Sequence, residues 1–191
     1  AYVPADKVLR LTMLLHDIGK PDTLTIDEQG ITHFYNHESL SAEMAKGILR
    51  RLKFDNDTIN MVYKLVMYHD YGNSVEPTLQ IVRRAMNKIG EDAFPALFQV
   101  KYADMMAQSD YLRDEKLKRL ENWKRLYTEI CEKEQCVSLK TLAVTGSDLI
   151  AAGMKPGKEL GEVLQKLLQL VLDDPSCNTK DKLLAEAQRL Q

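Results

Sequence analysis

Leu14-Leu15-His16-Asp17-Ile18-Gly19-Lys20-Pro21 is the stretch around which the chain is organised. An adjacent His-Asp pair stands where an apolar helical pattern ends. Upstream, Val8, Leu11, Leu15 and Ile18 recur at helical spacing behind Asp6, a residue suited to an N-cap. Gly19 suits a C-terminal cap and Pro21 forbids continuation, so the first helix is expected over residues 7–18. The chain begins at Ala1 and enters this pattern almost at once, so it reads as a fragment of a longer protein.

Beyond Pro21 the chain turns polar. Leu24–Ile26 and Ile31–Phe34 are two β-like runs around Asp27-Glu28-Gln29-Gly30, which fits a small hairpin or an irregular loop equally well. His33 reads as a solvated residue of that loop. Helical periodicity then takes over. A second helix is expected from Ser39 to Leu52, with Met44, Ile48, Leu49 and Leu52 on one side. A third starts at Asp57 or Thr58 and carries Ile59, Val62, Leu65, Val66 and His69. A fourth runs from Pro77 to a stop at Gly90. A fifth, from Ala93 to Gln108, carries Asp104. A long charged sixth, Leu112 to Glu134, has one narrow apolar stripe (Leu117, Leu120, Trp123, Tyr127, Ile130) and reads as a connector. Its interleaved charges suit a solvated face better than a phosphate track, and Trp123 at stripe spacing suits core better than base stacking. In the last third, a short helix opens near Gly146-Ser147-Asp148, with Ser147 or Asp148 as its cap. A Leu-rich helix follows Pro156-Gly157, and Thr179 to Leu190 is a final amphipathic helix.

The fold class is therefore all-α: a helical bundle over 1–110, then a connector helix and a small helical tail over 111–191. With 45% apolar residues the chain is not disordered, and a formal net charge of −2 advertises no global affinity for nucleic acid. Three cysteines with no zinc spacing fit a reducing cytoplasm. No apolar run reaches bilayer length and no signal peptide is evident, so no membrane partner is expected.

Divalent metals are held by imidazoles and carboxylates gathered from several elements. His16 and Asp17 sit at a helix C-terminus, where the dipole favours a cation. His37 stands at the mouth of the second helix, His69 ends the third and Asp104 lies within the fifth, flanked by apolar residues. A carboxylate buried there needs a partner or a metal. In a bundle these residues can converge.

Taken together, Leu-Leu-His16-Asp17-Ile-Gly-Lys20-Pro, Phe34-Tyr35-Asn36-His37-Glu38, His69 and Asp104 resemble the HD superfamily of metal-dependent phosphohydrolases. The resemblance implies His16, Asp17 and Asp104 as ligands of a first divalent ion (Mg2+, Mn2+ or Ni2+), and His37 and His69 as ligands of a second. It implies Lys20 as a contact to a phosphate oxygen and Asp17 as a ligand that also orients a water. The family pattern has a further histidine upstream of the His-Asp pair. None precedes His16 here, which leaves the first metal position short of a ligand.

The tail narrows the resemblance. Thr145-Gly146-Ser147-Asp148-Leu149, Gly153-Met154-Lys155-Pro156-Gly157 and Leu160-Gly161 are similar to the C-terminal region of bacterial CCA-adding tRNA nucleotidyltransferases and their poly(A) polymerase-like relatives. In that family a head domain transfers nucleotides, while the helical body and tail hold tRNA. This implies an RNA-binding portion whose head lies outside the chain. A helix opening at Pro156-Gly157-Lys158 offers free N–H groups to a phosphate, with Lys155 and Lys158 beside it. Two functions follow: the HD and tRNA-holding part of a tRNA nucleotidyltransferase, or a metal-dependent phosphohydrolase acting on a small phosphodiester or a 2′,3′-cyclic phosphate.

Overall fold

The computed structural model describes residues 2–190. Helices α1 (Lys7–Leu15), α2 (Lys20–Thr23), α3 (His37–Arg51), α4 (Asn56–Tyr68), α5 (Leu79–Ile89), α6 (Phe94–Ala107), α7 (Arg113–Glu132), α8 (Gly146–Ala151), α9 (Lys158–Asp173) and α10 (Lys180–Arg189) make an all-α protein. Among the described residues the strands are β1 (Leu24–Ile26) and β2 (Thr32–Phe34), an antiparallel hairpin with Thr25 opposite His33. No described helix is long and apolar enough to cross a membrane.

The chain divides into two compact units. The first comprises the residues up to Glu76 with Ile89–Asn122, and the second Pro77–Lys88 with the chain from Trp123 onward. The sequence boundary near residue 110 did not separate α5 from its neighbours. The reason lies in Arg83, which is 4% exposed. Its guanidinium donates to the Leu172 and Asp173 carbonyls at the end of α9 and to the Gln135 side chain. Read as a helix with one apolar stripe, α5 hides a charged residue that satisfies the last carbonyls of another helix.

In the first unit α1, α3 and α4 enclose Leu15, Ala42, Ala45, Leu49, Ile59, Val62 and Val66. The buried face of α3 is Ser41, Ala42, Ala45 and Leu49, whereas Leu52 is 59% exposed. Of the expected stripe Met44, Ile48, Leu49 and Leu52, Leu49 is core and Ile48 packs against it, while Leu52 turns out to solvent; the rest of the buried face is small residues that let the backbones of α3 and α4 approach, a demand that hydropathy does not register. Asp6 caps α1 by accepting from the Leu9 N–H, and Asp55 caps α4 through Thr58. Helix α6 is apolar on nearly every side, as suits a buried helix.

In the second unit Val163, Leu167, Leu168, Val171 and Leu172 of α9 are buried, as are Leu149 of α8 and Leu183 and Ala187 of α10. Thr145, not Ser147 or Asp148, is the N-cap of α8, and Asp148 closes a reciprocal capping box with it. Trp123 is only 7% exposed, so it is core and offers no stacking face.

Candidate metal centre

Four helix ends and one helix interior of the first unit build the centre. Helix α1 stops at Leu15, three residues earlier than the periodicity suggests, and His16 is its C-cap. The turn that follows places Asp17 beside it. Gly19 is not a left-handed cap: its φ is −86°. Its requirement is steric. A Cβ there would lie 2.9 Å from the Ser41 backbone nitrogen and 3.1 Å from the His37 carbonyl oxygen. The Gly19 N–H donates to Ser41 Oγ at 2.9 Å, tying the His16–Asp17 turn to α3. Pro21 does not merely end a helix; it sits in the first turn of α2, where its missing N–H costs nothing. Asn36, left-handed at φ 61°, turns the chain from the hairpin into α3 and delivers His37. His69 is the C-cap of α4. Asp104 projects from α6, which lies beside α1.

These residues meet. His16 Nε2 is 3.3 Å from Asp17 Oδ2 and 3.4 Å from Asp104 Oδ1. Asp17 Oδ1 lies 3.4 Å from His37 Nε2 and 3.6 Å from His69 Nε2. The two latter nitrogens are 3.3 Å apart. Lys20 Nζ donates to Asp17 Oδ2 at 2.6 Å.

The hydrogen bonds fix what those atoms offer. Nδ1 of His16, His37 and His69 contacts the carbonyl three residues earlier, on Met13, Phe34 and Val66. A carbonyl only accepts, so each Nδ1 carries a proton, and each ring in its neutral form turns a bare Nε2 lone pair to the centre. Lone pairs of His37 and His69 at 3.3 Å repel unless a cation or a proton stands between them. His16 Nε2 and Asp17 Oδ1 are buried with no hydrogen-bond partner. Unsatisfied acceptors of this kind are costly, and a divalent ion satisfies several at once. The donor set therefore fits a metal.

The electrostatics agree. Burial pushes the Asp17 carboxyl up, but the His69 and His16 imidazoles, when they carry a second proton, and the Lys20 ammonium hold it far below the carboxylate range. Burial pulls the His16 imidazole down, but Asp104 and Asp17 outweigh it and its pKa rises. A place that draws a proton to an imidazole also draws a metal cation.

Two participants escaped the sequence reading. Asp70 follows His69, and its Oδ2 is 3.5 Å from His37 Nε2. The dipeptide His69-Asp70 repeats His16-Asp17, and that repetition was the available signal. Lys101, on α6, is buried and donates to the His69 carbonyl and to Asn73 Oδ1. Burial lowers its pKa to about 8, with Asp70 and Asp104 opposing. His33, expected in a loop, lies on β2, where it pairs with Asp27 and stacks on Tyr35.

Lys155, Gly157 and Lys158 belong to the second unit, at the α8–α9 turn. Gly157, at φ 151°, is the N-cap of α9, and no side chain caps its first turn. Lys158 is largely exposed and lies 3.5 Å from Glu162. Lys155 lines a cleft of about 360 Å³ with Met154, Glu159, Glu162, Val163 and Lys166. The turn is thus mixed in charge, not a purely basic patch.

Gly19→Ala tests how tightly the turn is held. It is expected to cost about 1–3 kcal/mol by overpacking and to weaken Mn2+ binding about tenfold or more, because the His-Asp turn must retreat from α3. A thermal melt and a Mn2+ titration read both. Unchanged values would show that the close approach is not required.

Comparison with known proteins bears on most of the chain. The family model described as tRNA nucleotidyltransferase domain 2 matches residues 23–187. The chain is 29% identical over 167 residues to the A-adding tRNA nucleotidyltransferase of Deinococcus radiodurans, covering 86% of this chain and 38% of that protein. It is 30% identical over 167 residues to the CC-adding tRNA nucleotidyltransferase of Thermus thermophilus, covering 84% of this chain and 35% of that protein. The chain thus spans little more than a third of the length of these relatives. No solved structure matches it. The family match takes in both units, from Thr23 at the end of α2 to the last helix, and the chain belongs to the tRNA nucleotidyltransferase family.

Proposed function

We propose that this chain is the HD-type body and tRNA-holding C-terminal portion of a CCA-adding type of tRNA nucleotidyltransferase, working in the cytoplasm. The observation that carries this reading is the match of residues 23–187 to one family, with relatives named for adding A and CC to tRNA. Lys155, Gly157 and Lys158 are the proposed phosphate contacts. The open first turn of α9 supports this, because uncapped N–H groups at a positive dipole end suit an anion.

Salt dependence tests it. In gel-shift titrations the full chain is expected to bind tRNA at low salt and to weaken as salt rises. The Lys155→Ala/Lys158→Ala pair is expected to weaken binding several-fold and to lower the salt slope by about 1–2. Absence of low-salt binding by the parent would overturn the reading.

A second reading is favoured by the converging histidines and carboxylates: a metal-dependent phosphohydrolase acting on phosphodiesters or 2′,3′-cyclic phosphates. His16, Asp17, His37, His69 and Asp104 would hold a divalent ion. Of Mg2+, Mn2+ and Ni2+, the imidazole-rich set suits the last two better. When bound, such an ion supplies a Lewis acid and a water of lowered pKa. Lys20, within reach of Asp17, would move to a phosphate oxygen and neutralise its charge. Asp17, half-exposed, would orient the attacking water. Hydrolysis of 2′,3′-cyclic AMP by the parent and by Asp17→Asn separates this activity from RNA binding.

A further inference from the structure

We propose that Asp70 is a metal ligand, and that the tighter divalent-cation position of this chain is formed by His37, His69 and Asp70 with Asp17 Oδ1. The His16–Asp104 side would then be the weaker position. The inference rests on the cation reading given above and adds a ligand to it.

Ligand spacing supports the assignment. His37 Nε2 and His69 Nε2 are 3.3 Å apart, and Asp70 Oδ2 lies 3.5 and 3.6 Å from them. Asp17 Oδ1 lies 3.4 and 3.6 Å from the same two nitrogens. Two ligands in tetrahedral coordination, with bonds of about 2.1 Å, stand about 3.4 Å apart. Five separations thus match those of a four-donor cation site. The three side chains His37, His69 and Asp70 also come within a common reach in which each offers one donor atom.

The supporting shell points the same way. Asn73 donates to Asp70 Oδ1 at 2.8 Å, which leaves Oδ2 to face the imidazoles. Asn73 is held in turn: Lys101 donates to its side-chain oxygen and Arg119 to its carbonyl. Lys101 also donates to the His69 carbonyl. A carboxylate merely drifting in solvent would not need this scaffold. Outer contacts of this sort orient metal ligands.

The other side of the centre is poorer. Its own imidazole, His16, faces Asp17 Oδ2 and Asp104 Oδ1, and the second imidazole within reach, His69, is shared with the other position. Lys20 already occupies Asp17 Oδ2 at 2.6 Å, so a cation there must displace an ammonium. The second His-Asp pair supplies what the first lacks, a carboxylate facing two tautomer-fixed imidazoles.

The test is a Co2+ titration of the metal-free full chain, followed by visible absorption, on the parent, Asp70→Asn, Asn73→Ala and Asp104→Asn. Far-UV circular dichroism melts verify folding. Asp70→Asn is expected to weaken the tightest cobalt binding at least about tenfold, and Asp104→Asn by less than about threefold. Asn73→Ala leaves every donor atom in place and is expected to weaken binding about tenfold. If Asp70→Asn does not fold, Asn73→Ala decides in its stead. Asp70→Asn or, in that case, Asn73→Ala binding cobalt like the parent would overturn the assignment while leaving the cation reading intact. A parent that binds no cobalt would overturn both.

Discussion

Asp17→Asn is expected to strip the chain of tightly held divalent metal, from a stoichiometric amount in the parent to less than about a tenth of it, as read by elemental analysis. Among the described residues Asp17 is the one whose two oxygens face different histidines: Oδ2 faces His16, and Oδ1 faces His37 and His69. Asparagine keeps the size but presents an amide that donates from one position. If the parent hydrolyses 2′,3′-cyclic AMP, the rate should fall at least about a hundredfold, because several kcal/mol of transition-state stabilisation leave with the ion. Binding of tRNA should persist. Parent levels of metal in Asp17→Asn would remove Asp17 from the ligand set.

The same substitution has a signature in acid. Asp17 is held below its ordinary pKa in the folded, metal-free chain. Such a group contributes stability above its unfolded pKa of about 4 and loses it as pH falls toward the folded value. Urea midpoints of the metal-free parent should therefore fall between neutral pH and pH about 3, and those of Asp17→Asn should fall less. The acid limb will not vanish, because Asp55 and Asp148 are also held low by their caps and lysine partners.

Leu49→Ala should give the largest loss of stability. Leu49 is fully buried within the cluster shared by α1, α3 and α4. Its removal leaves a cavity beside Ala42 and Ala45, which are already small and cannot fill it. A loss of about 3–5 kcal/mol is expected, by analogy with fully buried leucines that cannot collapse. Denaturant unfolding reads it. A loss below about 1 kcal/mol would mean that the cluster relaxes around the void. Because α3 carries His37 and Ser41, metal affinity should fall as well.

Much of this architecture is readable in the sequence because its signals are periodic or polar. Val62, Leu65, Val66 and His69 keep helical register, and caps such as Asp6 stand one residue before their helices. The His-Asp pair stands out because it interrupts an apolar pattern. What escapes is set by tertiary approach. The alanines of α3 look indifferent until α4 packs on them. Gly19 looks like a cap until Ser41 is seen beneath it. Lys101 and Arg83 look like solvent-facing residues, since a lone cation on a helix usually is one. Their burial follows from carbonyls offered by distant segments. Asp70 hides for a related reason: its importance depends on where His37 arrives from, more than thirty residues earlier.

The chain enters the second unit at Pro77, returns to the first at Ile89, and leaves again within α7 after Asn122. The units are interleaved along the polypeptide. Neither can be excised, recombined or inherited as one contiguous cassette. A truncation after Asn122 would keep α5 yet discard the α9 carbonyls that Arg83 serves, so deletion mapping would report the damage done to α5 along with the loss of the tail.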